Sequence, residues 1–307
     1  MAPLRTVEGE ADFSVPAAGK PCKTWYKVYG DLSDRSVTPT VVLHGGPGFP
    51  HWYVEPIAGI AYRFSMPVVI YDQLGCGLST HLPEKKGDTD FWTVQLFIDE
   101  LHNLLRHLGI QGGYNILGHS WGGMLAASFA VQKPKGLRKL VISSSPASMA
   151  LFVEGCAELR KALPPGVQDA LNRHEAAGTT DSEDYKESCE AFGVRHECRI
   201  RPKPDVEEKS EESMGADPTV YLTMNGPSEF YITGSLKTFD LSSELHNIEV
   251  PTLLTNGRYD EVQDLSISPF FEQIRQVKWV QFAESAHVAH IEETERYLDV
   301  VGRFLVH

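Results

Sequence analysis

The stretch Gly118-His119-Ser120-Trp121-Gly122 decides the fold, because it predicts a sharp turn between a strand and a helix. The apolar segment 114–117 before it is typical of a buried strand, and the segment 124–130 after it consists of good helix formers. A turn this sharp brings neighbouring backbone close together, so the flanking glycines are needed because they lack a Cβ atom. The Ser120 hydroxyl would then stand at the N-terminus of a helix, where backbone N–H groups favour a developing negative charge.

Outward from this turn, buried strands alternate with helices. Apolar runs at 39–43, 67–71 and 140–143 predict strands, and the apolar stripe over 91–108 predicts an amphipathic helix. Segments 10–15 and 23–29 predict two opening strands at an antiparallel edge. This alternation indicates an α/β fold with a mostly parallel, doubly wound sheet.

The pattern changes between residues 147 and 237, a segment rich in Glu, Lys and Pro that lacks a strong strand signal. We interpret it as a helical cap inserted into a sheet domain made of residues 1–146 and 238–307. The acidic runs at 181–190 and 206–212 are predicted to be a solvated face. After the cap, strand patterns return at 250–255 and 277–282, and a terminal helix is predicted after 292.

Charge and composition restrict the classes of partner. The 307-residue chain has a formal net charge of -13, which argues against nucleic acid or an anionic membrane and favours cationic small molecules. No apolar run approaches the roughly 20 residues that span a bilayer, and no signal-peptide core is present, so a cytoplasmic location is expected. The five scattered cysteines suit reduced thiols, and the spacing of Cys189, His196 and Cys198 does not predict a metal site.

Three residues in a diagnostic order predict nucleophilic catalysis. A serine hydroxyl needs a base to take its proton, and the base must itself be oriented by a third group. Asp260 and His287 each follow a predicted strand, and the order Ser, Asp, His is the one found in folds built on this type of turn. We therefore predict Ser120 as nucleophile, His287 as general base and Asp260 as the group that orients it. Other candidates are less favoured by position: His44, Asp72, His119 and His290.

A glycine cluster supplies the expected oxyanion hole. The run His44-Gly45-Gly46-Pro47-Gly48 follows a central strand at the end where open α/β sheets bind their ligands. One oxyanion donor is expected in this loop, and the other is the N–H of the residue after the nucleophile. Gly46 and Trp121 are the predicted donors. Such chemistry requires no metal and no organic cofactor.

The motifs at 44–48, 72–79 and 118–123 together resemble the proline iminopeptidase family of α/β hydrolases, which includes the tricorn-interacting aminopeptidase and microbial L-amino acid amidases. The resemblance covers nearly the whole chain and is weakest over 152–213. It implies the α/β-hydrolase fold and release of an N-terminal amino acid, with proline a candidate, from short peptides or amino acid amides.

The same resemblance extends to residues that would bind the substrate's free amine. Segment 221–230 is similar to the segment with which the tricorn-interacting member grips that amine, so Tyr221, Glu229 and Glu261 match amine-binding positions. An independent argument supports two acids near the triad, because an exopeptidase must recognise the N-terminal ammonium in order to cut one residue from it. In a closed pocket such contacts also position the scissile carbonyl.

Two other classes of function are compatible with these residues. An esterase, lactonase or biosynthetic hydrolase could use the same triad on a small natural-product ester or amide, because a triad attacks either kind of carbonyl. A non-catalytic ligand-binding relative is the third class, and a complete triad argues against it. Glu229 and Glu261 favour the aminopeptidase or amidase.

Overall fold

A single sheet forms the centre of the molecule in the computed structural model, which describes residues 4–307. Within these residues the sheet has eight strands in the order β1-β2-β4-β3-β5-β6-β7-β8. The strands are β1 (Thr6–Phe13), β2 (Cys22–Tyr29), β3 (Thr40–Leu43), β4 (Val68–Tyr71), β5 (Tyr114–His119), β6 (Leu137–Ser143), β7 (Thr252–Gly257) and β8 (Val277–Phe282).

The sheet is antiparallel only at the edge that begins the chain. β1 pairs antiparallel with β2, and β2 pairs antiparallel with β4. All pairings from β4 to β8 are parallel. The predicted fold class, a mostly parallel doubly wound sheet, is therefore confirmed.

The two faces of the sheet carry two separate apolar clusters. Successive side chains of a strand point to opposite faces, and in β3 this places Val41 and Leu43 in one cluster and Val42 in the other. Because both faces are covered, the central strands consist almost entirely of apolar residues. This explains why continuous apolar runs identified them in the sequence.

Helices cover both faces and fill the long connection between β6 and β7. Helices α4 to α8 all lie in that connection. The helices of the described residues are α1 (Gly59–Phe64), α2 (Val94–His107), α3 (Trp121–Ala130), α4 (Met149–Arg160), α5 (Pro165–Ala177), α6 (Glu183–His196), α7 (Asp205–Ala216), α8 (Thr219–Met224), α9 (Asp264–Gln273), α10 (Ala289–Glu292) and α11 (Thr294–Val306).

The ends of this helical insertion are tied together. The N–H of Met149 donates to the carbonyl of Phe239 at 2.9 Å, and the N–H of Leu241 donates to the carbonyl of Ala147 at 3.0 Å. These bonds close the chain at the base of the insertion. The cap boundaries at 147 and 237 stay predictions.

None of the helices in residues 4–307 combines the length and the apolar character that crossing a membrane requires. The cytoplasmic location and the exclusion of nucleic-acid and membrane partners stay predictions from the sequence.

Candidate active site

Ser120 lies at the sharp turn between β5 and α3, with φ 55° and ψ −125°. This left-handed conformation is uncommon for a residue with a side chain and marks a functional constraint. A Cβ atom on Gly118 would lie 2.1 Å from the carbonyl oxygen of Gly122, and one on Gly122 would lie 2.1 Å from that of Leu43. Only glycine fits either position, and this close approach holds the serine between strand and helix.

Asp260 and His287 form a buried hydrogen-bonded pair. The Nδ1–H of His287 donates to Asp260 Oδ1 at 2.8 Å, and the N–H of Val262 donates to the same oxygen at 2.8 Å. Burial lowers the pKa of His287, but the charge and hydrogen bond of Asp260 outweigh it, so the pKa lies above its ordinary value. Ser120 and His287 line the same cavity, whose volume is about 660 Å³.

A second hydrogen-bond chain links the loops around Ser120. The N–H of Gly45 donates to the Tyr53 hydroxyl at 2.7 Å, and that hydroxyl donates to His119 Nδ1 at 2.9 Å. The remaining ring N–H of His119 donates to the backbone carbonyl of His287 at 2.9 Å. Burial, followed by the nearby His287 and His290, lowers the pKa of His119 well below its usual range, so the ring is neutral. His119, the neighbour of Ser120, thus links the loop of Gly45 to the loop of His287 through hydrogen bonds.

The predicted oxyanion donors lie beside Ser120. Gly46 and Trp121 line one small pocket together with Ser120. Gly46 has φ +105°, and a Cβ atom there would lie 2.5 Å from the backbone nitrogen of Phe49. Trp121 is the first residue of α3, so its N–H has no acceptor within the helix. The loop position therefore requires glycine, and the helix position offers a free donor.

The three predicted amine-binding residues, Tyr221, Glu229 and Glu261, all line the larger cavity. Glu229 and Glu261 both line the small pocket that contains Ser120. The Tyr221 hydroxyl donates to Glu229 Oε1 at 2.6 Å. Glu261 is 1% exposed, its Oε1 lies 3.9 Å from His287 Nε2, and its Oε2 has no hydrogen-bond partner.

Burial sets the electrostatics of these acids. Burial, followed by the charges of Glu229, Glu197 and Asp260, raises the pKa of Glu261 well above its usual range. Burial also raises the pKa of Glu229, although the Tyr221 hydrogen bond and His287 oppose the shift. Several carboxylates that repel one another around one space form a site that a cation would stabilise.

Two further acids face the larger cavity, and the sequence did not identify either. Glu197, just after α6, and Glu207, on α7, line the cavity with Ser120 and His287. Glu207 is 7% exposed, so the prediction that the run 206–212 is a solvated face is wrong at this residue. A helical pattern could have revealed it, because Glu207, Ser210 and Met214 share one face of α7. For Glu197 we find no such signal.

The end of α6 touches both loops that carry the predicted acid and base. The N–H of Glu261 donates to the carbonyl of His196 at 3.1 Å, and the N–H of His287 donates to the carbonyl of Glu197 at 3.0 Å. The ring of His196 also donates through Nδ1 to the carbonyl of Tyr259 at 2.8 Å. The helical insertion therefore shares hydrogen bonds with the loops that carry Glu261 and His287.

One other cluster has the composition of a metal site. Ligand atoms of His44, Asp72 and Cys76 lie within 4.8 Å of one another. Two of these residues already accept hydrogen bonds from the protein. His44 Nε2 accepts the N–H of Gln73 at 2.9 Å. The Asp72 carboxylate accepts the backbone N–H groups of His51 and Leu78, both at 2.8 Å. These bonds shape the loop between β4 and α2, and the expectation that no metal is needed stays a prediction.

Known proteins resemble the chain over almost its whole length. The family model for the alpha/beta hydrolase fold matches residues 38–294. The proline iminopeptidase of Heyndrickxia coagulans is 38% identical over 269 residues, which cover 87% of this chain and 90% of that relative. The solved structure of VinJ has a TM-score of 0.92 and 45% identity over 97% of this chain and 98% of that one. The solved proline iminopeptidase of Mycobacterium smegmatis has a TM-score of 0.88 and 41% identity over 97% of each chain.

Proposed function

The chain belongs to the proline iminopeptidase family of α/β hydrolases, and from this premise we propose that it releases N-terminal proline from short peptides and prolyl amides. The family and the aminopeptidase type of hydrolase predicted from the sequence are confirmed. The alternative, an esterase, lactonase or biosynthetic hydrolase that acts on a small natural-product ester or amide, is not favoured. The preference for proline and the role of each residue belong to the proposal.

Recognition begins at the substrate's free amine. Glu229 and Glu261 bind the ammonium, and the Tyr221 hydroxyl holds Glu229 in place through its 2.6 Å hydrogen bond. The positive charge of the bound ammonium stabilises the two carboxylates. Binding of the ammonium therefore lowers the pKa values of both acids. Fixing the amine next to Ser120 leaves the first carbonyl of the substrate at the nucleophile, so the enzyme removes a single residue.

Acylation uses the triad. His287 Nε2 takes the proton of the Ser120 hydroxyl while Ser120 Oγ attacks the carbonyl carbon, and the N–H groups of Gly46 and Trp121 stabilise the resulting oxyanion. Asp260 stabilises the imidazolium that forms, because its carboxylate accepts the Nδ1–H at 2.8 Å. The intermediate collapses when the C–N bond breaks and His287 gives its proton to the leaving amine.

Deacylation repeats these steps with water. His287 takes a proton from water, the hydroxide oxygen attacks the ester carbonyl of the acyl-enzyme, and Ser120 leaves with the proton returned by His287. The products are the free amino acid and the shortened peptide or amine. These residues complete the reaction without a cofactor.

One observation carries the proposal: two acids without a lysine or arginine partner among residues 4–307 line the small pocket that contains Ser120. A hydrolase of neutral esters gains nothing from buried carboxylates at this position, because their desolvation opposes folding. An ammonium in the substrate would offset that cost.

A panel of wild-type substrates tests the proposal. We expect prolyl arylamide to be hydrolysed with kcat/KM at least about 100-fold above that of N-acetylprolyl arylamide, since loss of the ammonium leaves the acids unpaired. Alanyl and leucyl arylamides measure the preference for proline, and Ser120→Ala is the control for turnover at this site. Equal hydrolysis of free and N-acetylated arylamides would contradict amine recognition, and faster hydrolysis of alanyl or leucyl arylamide would contradict the proline preference.

A further inference from the structure

Two spaces meet at Ser120, and they differ in size and in the residues that line them. The small pocket, of about 20 Å³, is lined by Met149 and Phe152, whereas Glu229 and Glu261 line both spaces, so the N-terminal ammonium binds where the two spaces meet. The cavity of about 660 Å³ also contains Ser120 but continues along α7, so it receives the leaving group. Residues that line only the larger cavity are therefore the candidates for binding the leaving group.

Glu207 is one of those residues, and its burial has no structural explanation. Its side chain is 7% exposed, and its Oε1 has no hydrogen-bond partner. The helix is docked by Ser210 instead, whose hydroxyl accepts the N–H of Tyr53 at 3.1 Å and donates to the carbonyl of Pro50 at 3.2 Å. A carboxyl oxygen buried without a partner destabilises the free protein, which is the expected state of a group that awaits a ligand.

The wall around Glu207 is acidic. In the described part of the chain the cavity is lined by six glutamates and one lysine: Glu190, Glu197, Glu207, Glu211, Glu229, Glu261 and Lys186. The lysine side chain is 62% exposed and pairs with Glu183.

Lys203 forms ion pairs with only two of these glutamates, Glu211 and Glu190. Its Nζ lies 2.5 Å from Glu211 and 3.7 Å from Glu190. Within residues 4–307, Glu197 and Glu207 have no ion-pair partner of this kind. Burial, followed by the charge of Glu211, raises the pKa of Glu207 to about 7, although His287 and Lys203 act in the opposite direction. A cation beside Glu207 would reverse that shift and stabilise the carboxylate.

We infer that Glu207 is the carboxylate of a second cation subsite, which binds a lysine ammonium or arginine guanidinium on the residue after the scissile bond. The subsite rests on the proposed function, because only a cleaved peptide has a leaving residue. It makes peptides with a basic second residue the preferred substrates. The first cation, the N-terminal ammonium, binds separately at Glu229 and Glu261.

Two dipeptide amides test the subsite with the wild-type enzyme. Prolyl-lysinamide and prolyl-norleucinamide differ in the side-chain ammonium, so at pH 8 we expect kcat/KM to be at least about tenfold higher for the lysyl substrate. Glu207→Gln should bring this ratio close to one. Glu208→Gln is the matched control, because Glu208 is exposed on the same helix, and it should keep the wild-type ratio.

The outcomes separate the two proposals. Equal kcat/KM values for the two substrates in the wild type, or an unchanged ratio in Glu207→Gln, would overturn the subsite and leave the proposed function intact. Failure of the wild type to cleave either dipeptide amide would overturn the proposed function and the subsite with it. The wild-type comparison needs no variant, so it remains decisive even if Glu207→Gln does not fold.

Discussion

The ionisation of His287 connects the geometry of the site to its activity. The Asp260 carboxylate raises the pKa of this buried histidine above its ordinary value, against the effect of burial. A general base must be neutral to accept a proton, so a raised pKa moves the onset of activity to higher pH. In the proposed mechanism the substrate amine acts in the opposite sense, because it must stay charged to bind Glu229 and Glu261.

We therefore predict a bell-shaped pH profile of kcat/KM for prolyl arylamide. Activity should rise with pH through a midpoint above about 6.5 as His287 loses its proton, and fall above about 8 as the substrate amine loses its charge. Asp260→Asn should lower kcat by about 10⁴-fold, the loss known for the corresponding change in a serine protease. Steady-state kinetics from pH 5 to pH 10 would measure this, and a rising midpoint well below 6.5 in the wild type would contradict the role given to Asp260.

The residues of the site differ in how clearly the sequence indicates them. Ser120, Asp260 and His287 could be chosen as candidates because their order and their positions after strands follow from the fold. The acidic run around Glu207 instead predicts a solvated helix face, and only the helical spacing of Glu207, Ser210 and Met214 indicates a buried side of α7, which packs on residues 51–58. Composition alone does not distinguish an acid that faces a cavity from one that faces solvent.

The turn between β5 and α3 brings backbone segments so close together that a Cβ atom at Gly118 or Gly122 would overlap them. Gly118 cannot carry a side chain, because its Cβ atom would lie 2.1 Å from the carbonyl oxygen of Gly122. This demand is local, which explains why the pentapeptide around Ser120 predicts strand, turn and helix together. The strands could also be predicted from the local sequence, because strands that are buried on both faces require continuous apolar runs.

Gly118→Ala should destabilise the protein by at least about 1–3 kcal/mol, since the added methyl group overlaps backbone that cannot move without separating strand from helix. Gly112→Ala is the matched control, because a Cβ atom at Gly112 meets no atom within 4 Å. Urea unfolding of both variants measures the change in the free energy of unfolding. Equal stability of the two variants would show that the turn tolerates a Cβ atom.

The whole chain combines a predictable sheet with a less predictable insertion. The order of elements and the parallel sheet follow from alternating apolar patterns. The hydrogen bonds from His196 and Glu197 to the loops of Glu261 and His287 join residues more than 60 positions apart, and no local pattern encodes them. The sequence therefore predicted the sheet and indicated Ser120, Asp260 and His287 as candidate catalytic residues, but it did not show how the insertion closes over them.

The negative charge of the molecule should assist the capture of cationic substrates. With a formal net charge of -13 and an acidic cavity, we predict that kcat/KM for prolyl arylamide falls severalfold between about 0.01 M and about 0.5 M salt, because ions screen the attraction. A neutral N-acetyl amino acid ester is the control and should show little dependence. Equal salt dependence for the charged and the neutral substrate would contradict electrostatic capture.

The central claim is that acids beside a reactive serine recognise the substrate's ammonium, and Glu229→Gln tests it most directly. The measurement compares kcat/KM of this variant with the wild type on prolyl arylamide and on an N-blocked ester, with the exposed Glu244→Gln as control. We predict a loss of at least about 100-fold on the arylamide, since one partner of a buried ion pair is removed, and a much smaller change on the ester. Hydrolysis of the arylamide by Glu229→Gln at the wild-type rate would contradict the claim.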